Sequence, residues 1–141
     1  MKRFFIALSL FCILLATSVF ASAFSVPSTV AKSFQTTFPS AKNVKWSEQA
    51  GFSIADFTLE DKKLSAYFDN NGSLIVVAEQ IFENQLPEVL QQSLVKEYGD
   101  HVFTSIFKMQ RGSEISYYVI ATKNQKQTIL SSAADKWSKR S

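Results

Sequence analysis

The chain has 141 residues, a formal net charge of +3 and one cysteine, Cys12. A chain of this length corresponds to one domain and can bury about two thirds of its unfolded surface, so it can fold without disulfides. Its lysines are interspersed with acidic residues instead of forming a basic cluster, which argues against a nucleic-acid partner.

Residues 1–23 have the pattern of a cleavable signal peptide. Two basic residues precede an apolar stretch over 4–20, and Ala21-Ser22-Ala23 supplies the small residues that signal peptidase requires. We predict cleavage after Ala23, export to the periplasm or beyond the cell, and no stable membrane insertion afterwards. The alternative is a retained anchor, since about 20 apolar residues cross a bilayer.

Cleavage would leave Phe24–Ser141, with 118 residues, of which 13 are basic and 12 acidic. Cys12 follows Phe11 instead of a small residue, so it does not mark a lipoprotein site. The remaining chain has no cysteine, which excludes disulfides, thiolate catalysis and cysteine-ligated metals. We expect no cofactor and no metal, and we expect the Lys136–Arg140 tail to be solvated.

Two segments have the apolar spacing of amphipathic helices. Each starts at a proline, Pro27 or Pro87, which suits a first helical turn because its missing N–H needs no partner there. Apolar residues recur every four positions, and the two series coincide after a shift of 60 residues. They are Val26, Val30, Phe34 and Phe38, then Leu86, Leu90, Leu94 and Tyr98.

Stretches rich in aromatic and β-branched residues follow each helix and indicate antiparallel strands. They cover about 43–48, 52–59, 64–69 and 74–82, then 102–109, 114–122 and 126–131, with a stub around Trp137. The residues of Asp69–Gly72 predict a tight hairpin with positive φ angles at Asn-Gly. The sequence thus predicts an α+β fold of two tandem repeats, 24–83 and 84–141, forming one seven- or eight-strand sheet with both helices on one face.

Several strands are apolar on both sides, so a sheet covered on one face leaves apolar residues on the other. Aromatic side chains offer a large, rigid contact area, which makes six of them candidates for a binding surface on the open face. Alternatively, each belongs to the core, since alternation does not tell which face the helices cover. The six are Trp46, Tyr67, Phe107, Tyr117, Tyr118 and Trp137.

The ionisable residues do not form a recognisable catalytic set. His101 is the only histidine and follows Asp100 at a predicted helix-to-strand junction, where a polar residue is ordinary. Asp69–Gly72 lacks the ligand pattern of a calcium loop. A carboxylate pair among Asp56, Glu60 and Asp61 is disfavoured because two of the three lie in a predicted turn. We predict no enzymatic activity; a hydrolase or metalloenzyme would need Asp100, His101 and another polar residue to converge in one cleft.

The helix starts at Val26-Pro27 and Leu86-Pro87, together with residues 38–46 and 66–72, resemble the β-lactamase-inhibitor-like, PepSY-like domains of bacterial exported proteins. The resemblance covers nearly all of the chain after residue 23. It departs in the second half, where Gly99-Asp100-His101 replaces Pro-Ser-Ala. It implies a fold like that of β-lactamase inhibitory protein, with a concave strand surface. A fold does not fix a function, so inhibition of a β-lactamase does not follow.

These features together predict an exported, non-catalytic binding module that resembles a protein inhibitor in its mode of action. Its expected partner is a protein or peptide of the cell envelope, held on the open face of the sheet. The alternative is a small-ligand carrier or sensor that uses the same apolar face as a pocket.

Overall fold

A computed structural model describes residues 24–140 of the chain. The predicted signal peptide and its cleavage site lie outside these residues and stay a prediction. The described part contains helices α1 (Ser28–Thr37) and α2 (Glu88–Tyr98), a short 3-10 helix (Glu83–Gln85) and eight strands. The strands are β1 (Lys42–Gln49), β2 (Phe52–Leu59), β3 (Lys62–Phe68), β4 (Leu74–Ile81), β5 (Val102–Arg111), β6 (Glu114–Lys123), β7 (Lys126–Ala133) and β8 (Lys136–Arg140).

The strands form one antiparallel sheet in the order in which they occur along the chain. At its centre β4 pairs with β5, so that Ile81 lies opposite Ile106, and α2 spans the connection between them. The predicted α+β fold is therefore confirmed. The stub expected around Trp137 is a complete edge strand, β8, in which Trp137 pairs with Ser132 of β7. Its basic composition hid it, because lysine is depleted in strands.

Each helix starts directly after its proline. Pro27 and Pro87 occupy the N-cap positions. Proline is most common one residue later, at the first helical position. The Pro27 carbonyl accepts the N–H of Ala31 at 3.0 Å, and the Pro87 carbonyl accepts that of Gln91 at 3.0 Å. The prolines thus fix where the helices begin without interrupting their hydrogen bonds.

Both helices pack on the same face of the sheet, each over its own apolar cluster. α1 buries Val30 and Phe34 against β2 and β3. α2 buries Leu90 and Leu94 against the strands from β4 to β8. Burial of these stripes removes apolar surface from water and stabilises the helices on the sheet. The sheet residues of the two clusters are Ala55, Phe57, Ala66 and Phe68, then Ile81, Ile106, Val119, Ala121, Leu130 and Trp137.

The loop after β3 is a tight hairpin turn at the predicted residues, but it has one positive φ angle instead of two. Of its residues only Gly72 has a positive φ, at 84°, whereas a two-residue Asn-Gly turn would have two. The Asp69 carboxylate accepts the N–H groups of Asn71 and Ser73 at 2.9 and 2.8 Å and so organises the loop. This side-chain bonding adds to the turn itself, in which the Gly72 N–H donates to the Asp69 carbonyl and the Asp69 N–H donates to the Ser73 carbonyl, both at 3.0 Å.

Candidate binding surface

The sheet face opposite the helices carries a continuous apolar strip. Residues that lie directly opposite each other on neighbouring antiparallel strands point to the same face. Tyr67 lies opposite Val76, Phe107 opposite Tyr118, and Ile120 opposite Ile129. Together with Met109, which pairs with Ala78, they form a strip across β3 to β7. Each of the seven larger side chains is half-buried or exposed: Tyr67, Val76, Phe107, Met109, Tyr118, Ile120 and Ile129.

Two depressions lie along this face and meet at Phe107. The larger has a volume of about 730 Å³ and lies over the second half of the chain. The smaller has a volume of about 340 Å³ and lies over the first half, with Lys45, Asp56 and Lys63 among its lining residues. Phe107 lines both. The larger depression is lined by Val76, Phe107, Met109, Arg111, Glu114, Ser116, Tyr118, Ile120, Ile129 and Arg140.

Arg140 is held at the edge of the larger depression by the strands beside it. Its Nε donates to the Oγ of Ser131 at 3.1 Å, and its Nη2 donates to the phenolic oxygen of Tyr118 at 3.4 Å. The guanidinium carbon lies 5.9 Å from the centre of the Tyr118 ring. Ser131 is only 3% exposed, and its Oγ also lies 3.3 Å from the Oγ of Ser138. The buried hydroxyl is therefore satisfied partly by Arg140.

Three of the six aromatic residues predicted to form the surface lie on it, namely Tyr67, Phe107 and Tyr118. Each has a cross-strand partner whose side chain also points away from the helices. They keep their predicted role as candidate binding residues. Their position alone does not test that role.

The other three lie on the helix-covered face, and for them the predicted placement is wrong. Trp46 packs edge-on against Phe34, with ring centres 5.1 Å apart, and Tyr117 packs against the α2 cluster. Trp137 is 7% exposed and belongs to the same cluster. Tyr117 and Tyr118 are adjacent in β6, and adjacent strand residues point to opposite faces. The two tyrosines could therefore not both belong to the open surface.

Sequence reasoning missed the aliphatic and basic part of the surface. Val76, Met109, Ile120 and Ile129 line the larger depression, and Arg140 borders it. Arg140 was expected in a solvated tail, but it lies in β8 opposite Ile129. The alternation of β6 was a usable signal for Ile120, which is two residues from Tyr118.

The junction residues Asp100 and His101 form an ion-pair cluster with Lys123. His101 Nδ1 lies 2.6 Å from one carboxylate oxygen of Asp100, and the Lys123 amine donates to the other. The hydrogen bond from Lys123, followed by that from His101, lowers the pKa of Asp100 below its ordinary value. Within the part of the chain that the structure describes, no three His, Cys, Asp or Glu side chains are grouped as metal ligands.

The remaining carboxylates considered in the sequence are tied to neighbours or lie in a turn. Asp56 accepts a hydrogen bond from Ser65 on the adjacent strand. Glu60 and Asp61 are exposed and form the turn between β2 and β3, where both have positive φ angles. The structure therefore separates Asp56 from the two turn residues along β2 instead of pairing their side chains.

Among residues 24–140 no helix is long and apolar enough to cross a membrane.

Comparisons with known proteins give structural neighbours only. No protein-family model matches the chain, and no curated protein matches it in sequence. A BLIP-like protein from Bacteroides fragilis is 17% identical with a TM-score of 0.68, over 78% of this chain and 81% of that one. The chain has a BLIP-like fold.

Two further solved structures share this BLIP-like fold. A DUF2874 family protein from Bacteroides ovatus is 16% identical with a TM-score of 0.70, over 77% of this chain and 80% of that one. A protein from Bacteroides eggerthii, named as a candidate periplasmic protein, is 15% identical with a TM-score of 0.69, over 77% and 80%. The fold expected from the sequence resemblance is confirmed. At these identities the likeness carries the fold and not the function.

Proposed function

We propose that this chain is an exported, non-catalytic binding module that holds a protein or peptide segment on the uncovered face of its sheet. The observation that carries the proposal is the apolar strip from Tyr67 to Ile129, which crosses five strands, lines much of the larger depression and reaches the smaller one at Phe107. Large contiguous apolar patches are uncommon on the surfaces of soluble monomeric proteins, and where they occur they commonly mark interaction sites. Inhibition of a target enzyme is one form that such binding takes.

Export and family membership are part of the proposal. The signal-peptide pattern of residues 1–23 supports export, with the periplasm as the proposed location and release from the cell as the alternative. The name of the Bacteroides eggerthii neighbour supports the same compartment. We assign the chain to the PepSY-like domains on the motifs at its two helix starts and at residues 66–72. The proposed partner is accordingly a protein or peptide of the envelope.

The length of the strip favours a polypeptide over a small molecule. Neighbouring strands lie about 4.8 Å apart, so a ligand that crosses five strands must extend about 19 Å. An extended segment of about six residues has this length at about 3.3 Å per residue. Phe107, which lies between the two depressions, would contact such a segment near its middle.

One observation favours the alternative of a small-ligand carrier or sensor. The larger depression, at about 730 Å³, has the size of a small-molecule site. Its apolar lining from Val76 to Ile129 would suit a lipid-like or aromatic molecule. A ligand of this kind would be retained through purification and would be detected by native mass spectrometry, with a mass that disappears when Ile120→Asp places a charge in the depression.

Photo-crosslinking tests the proposal directly. The full chain is expressed in its envelope with Phe107→p-benzoylphenylalanine, and in parallel with the same replacement at Val89, an exposed residue of α2. We expect a defined adduct from position 107 and not from position 89. The partner identified in the adduct should bind the purified protein, and Phe107→Ala should weaken that binding by about tenfold or more, as hot-spot residues do. Equal adducts at the two positions would contradict the proposal.

A further inference from the structure

We infer that the bound segment is acidic, and that it presents a carboxylate to Arg140 while an adjoining apolar side chain enters the larger depression. This inference rests on the proposed function, because it names the chemistry of the partner at the same surface. It depends on three observations: the charge balance of the uncovered face, the fixed position of Arg140, and the apolar lining beside it.

The uncovered face carries more positive than negative charge. Lys45 and Lys63 line the smaller depression, and Arg111 and Arg140 line the larger one. The acidic residues that line the two depressions are Asp56 and Glu114. Charges of one sign on a surface attract a partner of the opposite sign and speed its association. The whole mature chain is nearly neutral, so this imbalance is a property of the face and not of the composition.

The two acidic residues of the face already lie beside partners. Asp56 pairs across the strands with Lys45 and accepts a hydrogen bond from Ser65. Glu114 lies directly opposite Arg111 at the β5–β6 hairpin. Arg140, in contrast, lies opposite the apolar Ile129 in the strand register. Within residues 24–140 neither Arg111 nor Arg140 has a carboxylate oxygen within 4.0 Å. Among the described residues, Arg140 is therefore the cation of the larger depression that has no acidic residue opposite it in the strand register.

The guanidinium of Arg140 is oriented before any ligand binds. Its bonds to Ser131 and Tyr118 use one hydrogen of Nε and one of Nη2, out of the five donors of the group. The other donors remain available to a carboxylate, with which arginine forms short charge-assisted hydrogen bonds. A side chain that is already fixed loses less conformational entropy on binding than a free arginine would.

The surroundings of Arg140 define the rest of the ligand. Ile129, Ile120 and Tyr118 line the depression beside it, and Met109 and Phe107 continue the lining towards the centre of the sheet. A free inorganic anion would leave this apolar surface exposed to water. A segment in which an acidic residue is followed by an apolar residue would pair with Arg140 and cover the lining at the same time. The geometry therefore favours an acidic, apolar polypeptide segment.

Three synthetic ten-residue peptides test the inference. They contain leucine at alternate positions and glutamate, glutamine or lysine at the others, and their ends are blocked. Binding is measured by fluorescence anisotropy with protein purified after export of the full chain. We expect the glutamate peptide to bind about tenfold more tightly than the glutamine peptide at low salt, with the difference reduced as salt screens it. The lysine peptide should bind most weakly.

Variants assign the preference to Arg140. Arg140→Gln should remove the difference between the glutamate and glutamine peptides, and Arg140→Lys should restore part of it because the charge returns without the planar group. Lys139→Gln is the matched control, since it removes an equal charge from the adjacent residue, which pairs with Leu130 on the helix-covered face. Thermal unfolding of each variant verifies that it is folded.

Each other outcome overturns the inference. Equal binding of the glutamate and glutamine peptides would do so, as would a preference that survives Arg140→Gln or is lost equally in Lys139→Gln. Competition by acetate at the concentration of the peptide would identify a simple anion site, and tighter binding of decanoate would identify a lipid-like ligand. A neutral or basic partner crosslinked at position 107 would overturn the acidic chemistry alone and leave the proposed binding function in place.

Discussion

The indole N–H of Trp137 donates to the backbone carbonyl of Leu90 at 2.9 Å. This bond joins the edge strand β8 to helix α2 through two residues that are 47 positions apart in the sequence. Trp137 is 7% exposed and Leu90 is 2% exposed, so the bond is shielded from water. The bond connects β8 to the apolar cluster under α2. It thereby holds β8 beside β7, where Arg140 borders the uncovered face.

Trp137→Phe should lower the free energy of unfolding by about 2–4 kcal/mol. About 1 kcal/mol comes from the lost hydrogen bond, and the remainder comes from the unfilled volume of the smaller ring. Trp46→Phe is the control, because Trp46 is half-buried and packs against Phe34. Trp46→Phe should lower the free energy of unfolding by less than half as much as Trp137→Phe. Urea unfolding of both variants measures the difference, and equal losses would mean that the bond to Leu90 contributes nothing measurable.

A comparison of two phenylalanines separates the core from the proposed surface. Phe34 is 5% exposed, with the rings of Trp46 and Phe57 centred 5.1 and 5.0 Å away. Phe34→Ala should therefore reduce the free energy of unfolding by about 3–5 kcal/mol. Phe107 is half-buried on the uncovered face, so Phe107→Ala should reduce it by about 1 kcal/mol. A loss at Phe107 as large as that at Phe34 would show that Phe107 is a core residue and would weaken the binding proposal.

The fold was predictable because local signals agreed with one another. Proline followed by apolar residues at a spacing of four marks both helices, and Val30, Phe34, Leu90 and Leu94 are the residues that they bury. Strand boundaries fell within a few residues of the predicted ones. The exception is β8, whose lysines and arginine do not favour a strand. Its pairing with β7 and the anchoring of Trp137 on α2 are long-range contacts, which no local pattern encodes.

The candidate surface was only half predictable, for a geometric reason. Alternation divides the residues of a strand into two sets, but it does not say which set faces the helices. Tyr118 and Tyr117 belong to opposite sets of β6 and look equivalent in the sequence. The contact of Phe34 with Phe57 and Trp46 decides which face is covered in the first half. The position of Arg140 depends on its hydrogen bonds to Ser131 of β7 and Tyr118 of β6, which are visible only in three dimensions.

Acid should reduce the contribution of Asp100 to the stability of the folded protein. Hydrogen bonds from Lys123 and His101 hold the pKa of this carboxyl below 3.8, so the folded state favours its charged form. The resulting stabilisation is present above the ordinary pKa and is lost as the pH falls through the lower folded-state pKa. Because Asp100 is exposed, we expect a small effect that salt reduces further.

Asp100→Asn therefore should lower the midpoint of urea unfolding at about pH 6, and this difference from the unmodified protein should disappear as the pH falls through the lowered pKa of Asp100. Glu48→Gln is the control, since Glu48 is exposed on β1 and, among residues 24–140, forms no ion pair within 4.0 Å. It should show no comparable dependence on pH. A difference for Asp100→Asn that grows on acidification would contradict the assigned direction of the pKa shift.

Gly72 and Gly112 allow the packing of the β3–β4 loop to be tested. Both have positive φ angles, 84° and 57°, so an alanine at either position is strained by about 1–2 kcal/mol. A Cβ at Gly72 would in addition lie 2.9 Å from the carbonyl oxygen of Thr29 in α1, whereas one at Gly112 would meet nothing within 4 Å. Gly72→Ala should therefore lower the free energy of unfolding clearly more than Gly112→Ala, because backbone must move to accommodate it. Equal losses in urea unfolding would show that the loop does not pack closely against the start of α1.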